Sequence, residues 1–256
     1  MEPAVFGDPP LFGLFHPAPG GSARDQGVLI CPPVAYEHIR AHRALRHLAV
    51  QLARAGYDVL RFDYFGVGDS AGASEEARVS RWHDDVAAAA AELRALSGAH
   101  TLCVVGVRLG ATLAATAPEL QTDHLVLWDP ILDGRAWVQS MERMHQTLLS
   151  DLTYFQRPRR EPPNPGLLGF AFTPELRADL AELNLHRLAR WSSGKVTLVT
   201  GSAGEAERKL LGELQGKGLS SGMRVLRAPI DWQSLRNLGL ALTTAEATEA
   251  TLQVLG

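Results

Sequence analysis

The alternation of short, branched apolar runs with stretches of helical spacing constrains this chain more than any other property. Residues 27–31, 57–62, 101–105, 124–128, 195–200 and 223–228 are rich in Val, Leu and Ile and read as strands. Between them, residues 38–55 place Ile39, Leu45, Leu48, Leu52 and Ala53 at helical spacing, with Gly56 to end the helix. Residues 84–96 are alanine-rich and stop at Ser97-Gly98, and residues 205–216 predict another helix, with a closing helix after Asp231. Strands separated by helices again and again give βαβ units. The expected fold is therefore α/β, a mostly parallel twisted sheet with helices on both faces. An early hairpin strand is expected over residues 10–16, and no internal repeat is visible.

At 256 residues, 46% of them hydrophobic, the chain can bury one sizeable core. Residues 134–190 break the rhythm with an amphipathic helix, a basic proline-rich loop over 157–166 and a second helical stretch over 174–189. The expected organisation is a core of residues 1–133 plus 191–256 carrying a helical cap of residues 134–190. A net charge of -3 leaves no electrostatic footprint for nucleic acid or an anionic membrane surface. No run approaches the roughly 18 apolar residues of a membrane span, so a soluble, cytoplasmic protein is expected. Cys31 and Cys103 lie in strand-like segments and read as reduced core thiols, Cys31 close to the expected pocket.

Chemistry concentrates at Gly106-Val107-Arg108-Leu109-Gly110, which joins the strand over 101–105 to an alanine-rich helix over 109–117. Glycines two positions either side of the centre permit a steep turn, which lifts the central side chain above the sheet. In a G-x-S-x-G elbow that side chain is the serine nucleophile; here it is Arg108. A guanidinium has no lone pair to attack with and stays protonated, so Arg108 forms no acyl-enzyme. Serine chemistry also needs an acid and a histidine later in the chain. Asp129, Glu205 or Glu207 can stand at the acid position, but the loop over 229–232, ending in Asp231-Trp232, has no histidine, and the last one is His186.

The backbone of such a site survives the loss of its side chains. The amide of Leu109 and one from the Val34-Ala35 turn are expected to face the pocket, with Arg108, Tyr36 and Trp232 as further ligand-binding candidates. Arg108 then has two outcomes: it traps a carboxylate or phosphate with those amides, or it folds onto Asp129, Glu37 or Asp63 and plugs the cavity. Candidates for acid–base work are Asp129, Glu37, His38 and Asp231, His38 being the one histidine able to reach the pocket. His38 and His42 share a helix face, yet no metalloprotease motif accompanies them, so no metal is expected. The loop Asp63-Tyr-Phe-Gly-Val-Gly-Asp-Ser70 lacks the third glycine of a dinucleotide fingerprint. It reads as a structural turn in which Asp63 takes local backbone donors, and no cofactor is expected. Arg157, Arg159 and Arg160 read as a solvated loop, and Trp82, Trp128, Trp137, Trp191 and Trp232 chiefly as packing at strand ends and the cap.

Nearly the whole chain resembles the α/β-hydrolase superfamily. The matching words are Arg40-Ala-His-Arg-Ala-Leu45, Leu60-Arg-Phe-Asp-Tyr-Phe-Gly-Val-Gly-Asp-Ser-Ala-Gly72, Gly106-Val-Arg-Leu-Gly-Ala-Thr-Leu-Ala114 and Leu125-Val-Leu-Trp-Asp-Pro130 with Gly134. More narrowly it is similar to a bacterial branch of exosortase-associated hydrolases with a Gly-x-Arg-x-Gly elbow. The resemblance implies the α/β-hydrolase fold; fold does not fix function. The leading expectation is a catalytically degenerate protein that binds a small acidic or acyl-type ligand, or a partner, in the cap–core cavity. A second is an unconventional hydrolase, thioesterase or lyase using carboxylates with Arg108 as electrostatic stabiliser. A third is a structural subunit, as a homodimer or paired with an active hydrolase.

Overall fold

A computed structural model describes residues 1–20, 24–151, 166–234, 242 and 244–256. Eight strands form one sheet in the order β1-β2-β4-β3-β5-β6-β7-β8. They are β1 (Glu2–Phe6), β2 (Leu11–His16), β3 (Gln26–Cys31), β4 (Asp58–Phe62), β5 (Thr101–Val107), β6 (His124–Trp128), β7 (Lys195–Thr200) and β8 (Ser220–Val225). β1 pairs with β2 and β2 with β4 antiparallel, and every other pairing is parallel. The central strands β3, β5 and β6 are buried almost end to end, as a parallel sheet covered on both faces requires.

Helices α1 (Ala35–Arg54), α2 (Val79–Ser97), α3 (Leu109–Thr116), α4 (Gly134–Ser150), α5 (Pro174–Glu182), α6 (Glu205–Gly216) and α7 (Ala245–Leu255) connect the strands. One core packs α2, α3 and α4 against one sheet face through Leu29, Leu93, Leu109, Leu113 and Trp137; the other packs α1 and α7 on the opposite face through Leu45, Leu48, Val105 and Trp128. Between β6 and β7 lie α4 and α5, which pack on each other and reach back to α2, where Arg78 grips Asp179 with bonds of 2.7 and 2.9 Å. Gly134 opens α4 so close to α5 that a Cβ there would lie 1.9 Å from the Leu180 carbonyl oxygen.

Several boundaries differ from the sequence reading. β1 was not expected: it is a short edge strand with only Ala4 and Phe6 buried, too brief a pattern to announce itself. Ile39, expected in the apolar stripe of α1, is 64% exposed, and the buried stripe instead runs through Glu37, Arg40, Ala41 and Ala44. β8 begins at Ser220 rather than 223, because its register is set by parallel pairing with β7 and not by its own weak apolarity. The closing helix starts at Ala245. The basic loop with Arg157, Arg159 and Arg160 falls outside the described residues. Among the described residues, no helix is long and apolar enough to cross a membrane.

Candidate functional site

β5 leads into α3 through a turn whose glycines are indispensable: a Cβ on Gly106 would meet the Ala111 Cα at 2.4 Å, and one on Gly110 the Pro32 carbonyl oxygen at 2.2 Å. Arg108 stands at the apex with φ 54° and ψ -122°, a conformation that costs a non-glycine residue about 1–3 kcal/mol. Ala35 (φ 54°) and Asp129 (φ 42°) are also left-handed, so three of the four such non-glycine residues among those described surround this one site. The Arg108 amide donates to the Trp128 carbonyl at 2.9 Å, and its own carbonyl accepts from Ala111 and Thr112, which fixes the backbone from both sides.

The guanidinium lies on Glu37. Its Nη2 is 2.9 Å from Glu37 Oε1, Nε is 3.2 Å from both carboxylate oxygens, and Nη1 donates to the Asp129 carbonyl at 3.1 Å. Glu37 sits in the first turn of α1 with a side chain 1% exposed, where the helix dipole favours its charge. Of the two outcomes left open by the sequence, this is the ion-paired one. The Arg108 guanidinium also stacks over the Trp232 ring, 5.4 Å from its centroid.

Asp129 is fully engaged. Its Oδ1 accepts from the Gly201 amide at 2.9 Å and its Oδ2 from the indole Nε1–H of Trp232 at 2.8 Å. Trp232 is held by its own carbonyl, which accepts from the Tyr36 hydroxyl and from Arg40 Nη1 at 2.8 Å; Arg40 Nη1 also binds the Asp231 carbonyl at 2.6 Å. Burial pushes the Tyr36 hydroxyl above its ordinary range, so it remains a donor. Arg108, Glu37, Asp129, Tyr36 and Trp232 therefore lie together at the elbow.

Other candidates do not join them. His38, expected as the imidazole within reach, turns to the Pro33 carbonyl (3.2 Å) and to Asp63 Oδ1 (3.5 Å), because it lies one residue round the helix from Glu37. Asp231 is exposed and contributes its carbonyl. Leu109 is buried, with its amide at the open end of α3, while Val34 and Ala35 line an apolar cavity separate from the one beside Arg108. Asp63 binds the Asp69 amide at 3.1 Å, as its role in the turn anticipates. Cys31 is wholly buried, which pushes its thiol far above the ordinary range, and burial likewise raises Cys103 to about 12. Neither is a poised nucleophile. Arg40 was not anticipated; its signal was a charged residue on the buried stripe of α1, one turn after Tyr36.

Beside Arg108 and Trp232 lies a hollow of about 210 Å³ that Thr200, Ser202 and Glu207 complete. Across the elbow, Val34, Ala35, Val67, Trp82, Phe172 and Leu176 enclose an apolar gap of about 40 Å³. That gap shares Ser74, Phe170, Ala171 and Phe172 with a wider opening of about 280 Å³. Among the described residues, no group of three or more His, Cys, Asp or Glu is placed to hold a metal ion.

The family model for serine aminopeptidase, S33, matches residues 36–180, more than half of the chain, from the first turn of α1 into α5. The chain belongs to the serine aminopeptidase S33 family. Solved structures agree on the α/β-hydrolase fold. An esterase of Pyrococcus furiosus matches at 14% identity and TM-score 0.63 over 99% of this chain and 89% of its own. Est1E of Butyrivibrio proteoclasticus, bound to ferulic acid, matches at 14% identity and TM-score 0.63 over 98% of each chain. The bottromycin epimerase BotH, in complex with bottromycin A2, matches at 18% identity and TM-score 0.58 over 100% of this chain and 99% of that one. Identities this low establish the fold alone. No curated protein matches the sequence.

Proposed function

We propose that this S33-family chain is a non-hydrolytic binding protein whose elbow has lost its nucleophile to Arg108 and whose ligand is an acyl-type group. The pairing of Arg108 with Glu37 carries the reading. The apex side chain cannot attack, and the donor facing the Asp129 carboxylate is an indole N–H, which unlike an imidazole accepts no proton. Trp232 thus fills the place of a general base with a group unable to act as one. Because Glu37 neutralises the guanidinium, an acidic headgroup gains little there, and the apolar gap at Val34, Ala35 and Phe172 favours an acyl end instead. In this reading residues 134–190 act as a cap over the gap. One neighbour bears the name of an epimerase, so the names attached to this fold extend beyond ester hydrolysis.

Turnover of aryl esters tests the proposal. Wild type is expected to be inert, whereas the triple variant Arg108→Ser, Glu37→Gln, Trp232→His, which rebuilds a Ser-His-Asp arrangement on Asp129, is expected to gain measurable hydrolysis. Ester turnover by wild type that is lost in Arg108→Ala would refute it.

A further inference from the structure

On the other side of α1 from Glu37 lies a hollow of about 70 Å³, lined by His38, His42, Arg61, Asp63 and Asp69 and floored by residues 12–14 of β2. Arg61 is half-buried in β4, and no carboxylate among the described residues comes within ion-pair distance of it. Its one hydrogen bond is from Nε to His16 Nε2 at 3.4 Å, which leaves the four N–H of its two terminal nitrogens without a protein acceptor among the described residues. His42, one turn from His38, likewise has no hydrogen-bond partner there. Burial and then Arg46 lower the Arg61 pKa, and burial and then Arg61 lower that of His42, while Asp63 raises both. These donors face the hollow, and a planar guanidinium fork matches an oxyanion.

The carboxylates on the rim decide which oxyanion. Asp63 Oδ2 accepts from the Asp69 amide, while Oδ1, 3.5 Å from His38 Nε2, keeps lone pairs free. A carboxylate repels a fully ionised oxyanion but accepts a hydrogen bond from one that carries a proton. Inorganic phosphate carries an O–H at neutral pH. Sulfate has none, and a phosphate monoester, with its second pKa near ~6, has mostly lost its own.

We propose that this hollow is a site for inorganic phosphate, in which Arg61 grips two oxygens, His42 donates to a third, and the phosphate O–H donates to Asp63. The site is separate from the elbow.

Calorimetric titration of the full chain at pH 7 and low ionic strength tests it, with inorganic phosphate, sulfate and glycerol phosphate as the three probes. Phosphate is expected to bind at least about tenfold more tightly than either of the others, the discrimination that one charge-assisted hydrogen bond supplies. Arg61→Gln is expected to weaken phosphate by about tenfold or more. His42→Ala, at an exposed helix position that leaves the fold intact, should weaken it several-fold. Asp63→Asn keeps an oxygen for the Asp69 amide and should erase the preference over sulfate. No binding of phosphate by wild type would overturn the proposal, as would equal binding of phosphate and sulfate, or phosphate binding unchanged in both His42→Ala and Arg61→Gln. Tighter binding of glycerol phosphate than of free phosphate would overturn the proton-bearing ligand.

Discussion

Two arginines flank helix α1 in opposite circumstances. Arg108, at the elbow, is tied to Glu37, the Asp129 carbonyl and the face of Trp232. Arg61, across the helix, has one side-chain hydrogen bond among the described residues, to His16, and faces an open hollow. One residue of one helix, about 100° of rotation, separates the two environments: Glu37 faces the elbow, and His38 faces the hollow. A charge placed where reactive chemistry is expected is paired by its surroundings, while one in an inconspicuous strand position has no carboxylate partner among the described residues. Position in a motif says where a side chain stands; only its partners say what it can do.

Stability separates the two most sharply. Arg108→Met leaves Glu37 buried without a partner and is expected to cost about 3–5 kcal/mol in urea unfolding, whereas adding Glu37→Leu should restore most of it. Arg61→Gln breaks no ion pair and is expected to stay within about 1 kcal/mol of wild type. Equal losses for the two would erase the contrast. Next in size, Asp129→Ala removes the acceptor of both the Gly201 amide and the Trp232 indole, an expected loss of about 1–3 kcal/mol by the same assay.

How far the sequence reached can be judged from these residues. The apex was legible because Gly106 and Gly110 have a steric job that no other residue can do. The partner of Arg108 was not, because Glu37, Asp129 and Asp63 were equivalent as carboxylates and only the facing of α1 chooses among them. Trp232 was visible as an aromatic near a strand end, but its bond to Asp129 depends on a loop conformation held from afar by Arg40 and Tyr36. The sheet was read correctly where strands are buried on both faces and imprecisely at its edges, β1 and β8, where pairing with a neighbour rather than apolarity defines the strand.

A smaller effect lies in pH. His16, beside Arg61, and His124 in β6 both have their pKa lowered to about 4, first by burial and then by a nearby cation, Arg61 or Lys195. The unfolded chain takes up these protons near the ordinary value of 6.5 and the folded chain does not, so their contribution is full above that value and is lost as pH falls toward about 4. Urea midpoints measured at pH 7 and pH 5 should show the loss, and His16→Gln with His124→Gln should flatten it. A profile unchanged by both substitutions would remove these histidines from the explanation.

The inertness proposed for the elbow is most directly read by intact-mass spectrometry of the wild-type chain after incubation with an excess of a fluorophosphonate. The mass should remain that of the unmodified polypeptide, because Arg108 is held by Glu37 and, among the described residues, an indole rather than an imidazole faces Asp129. A stoichiometric phosphonyl adduct on any residue lining the elbow would contradict that arrangement.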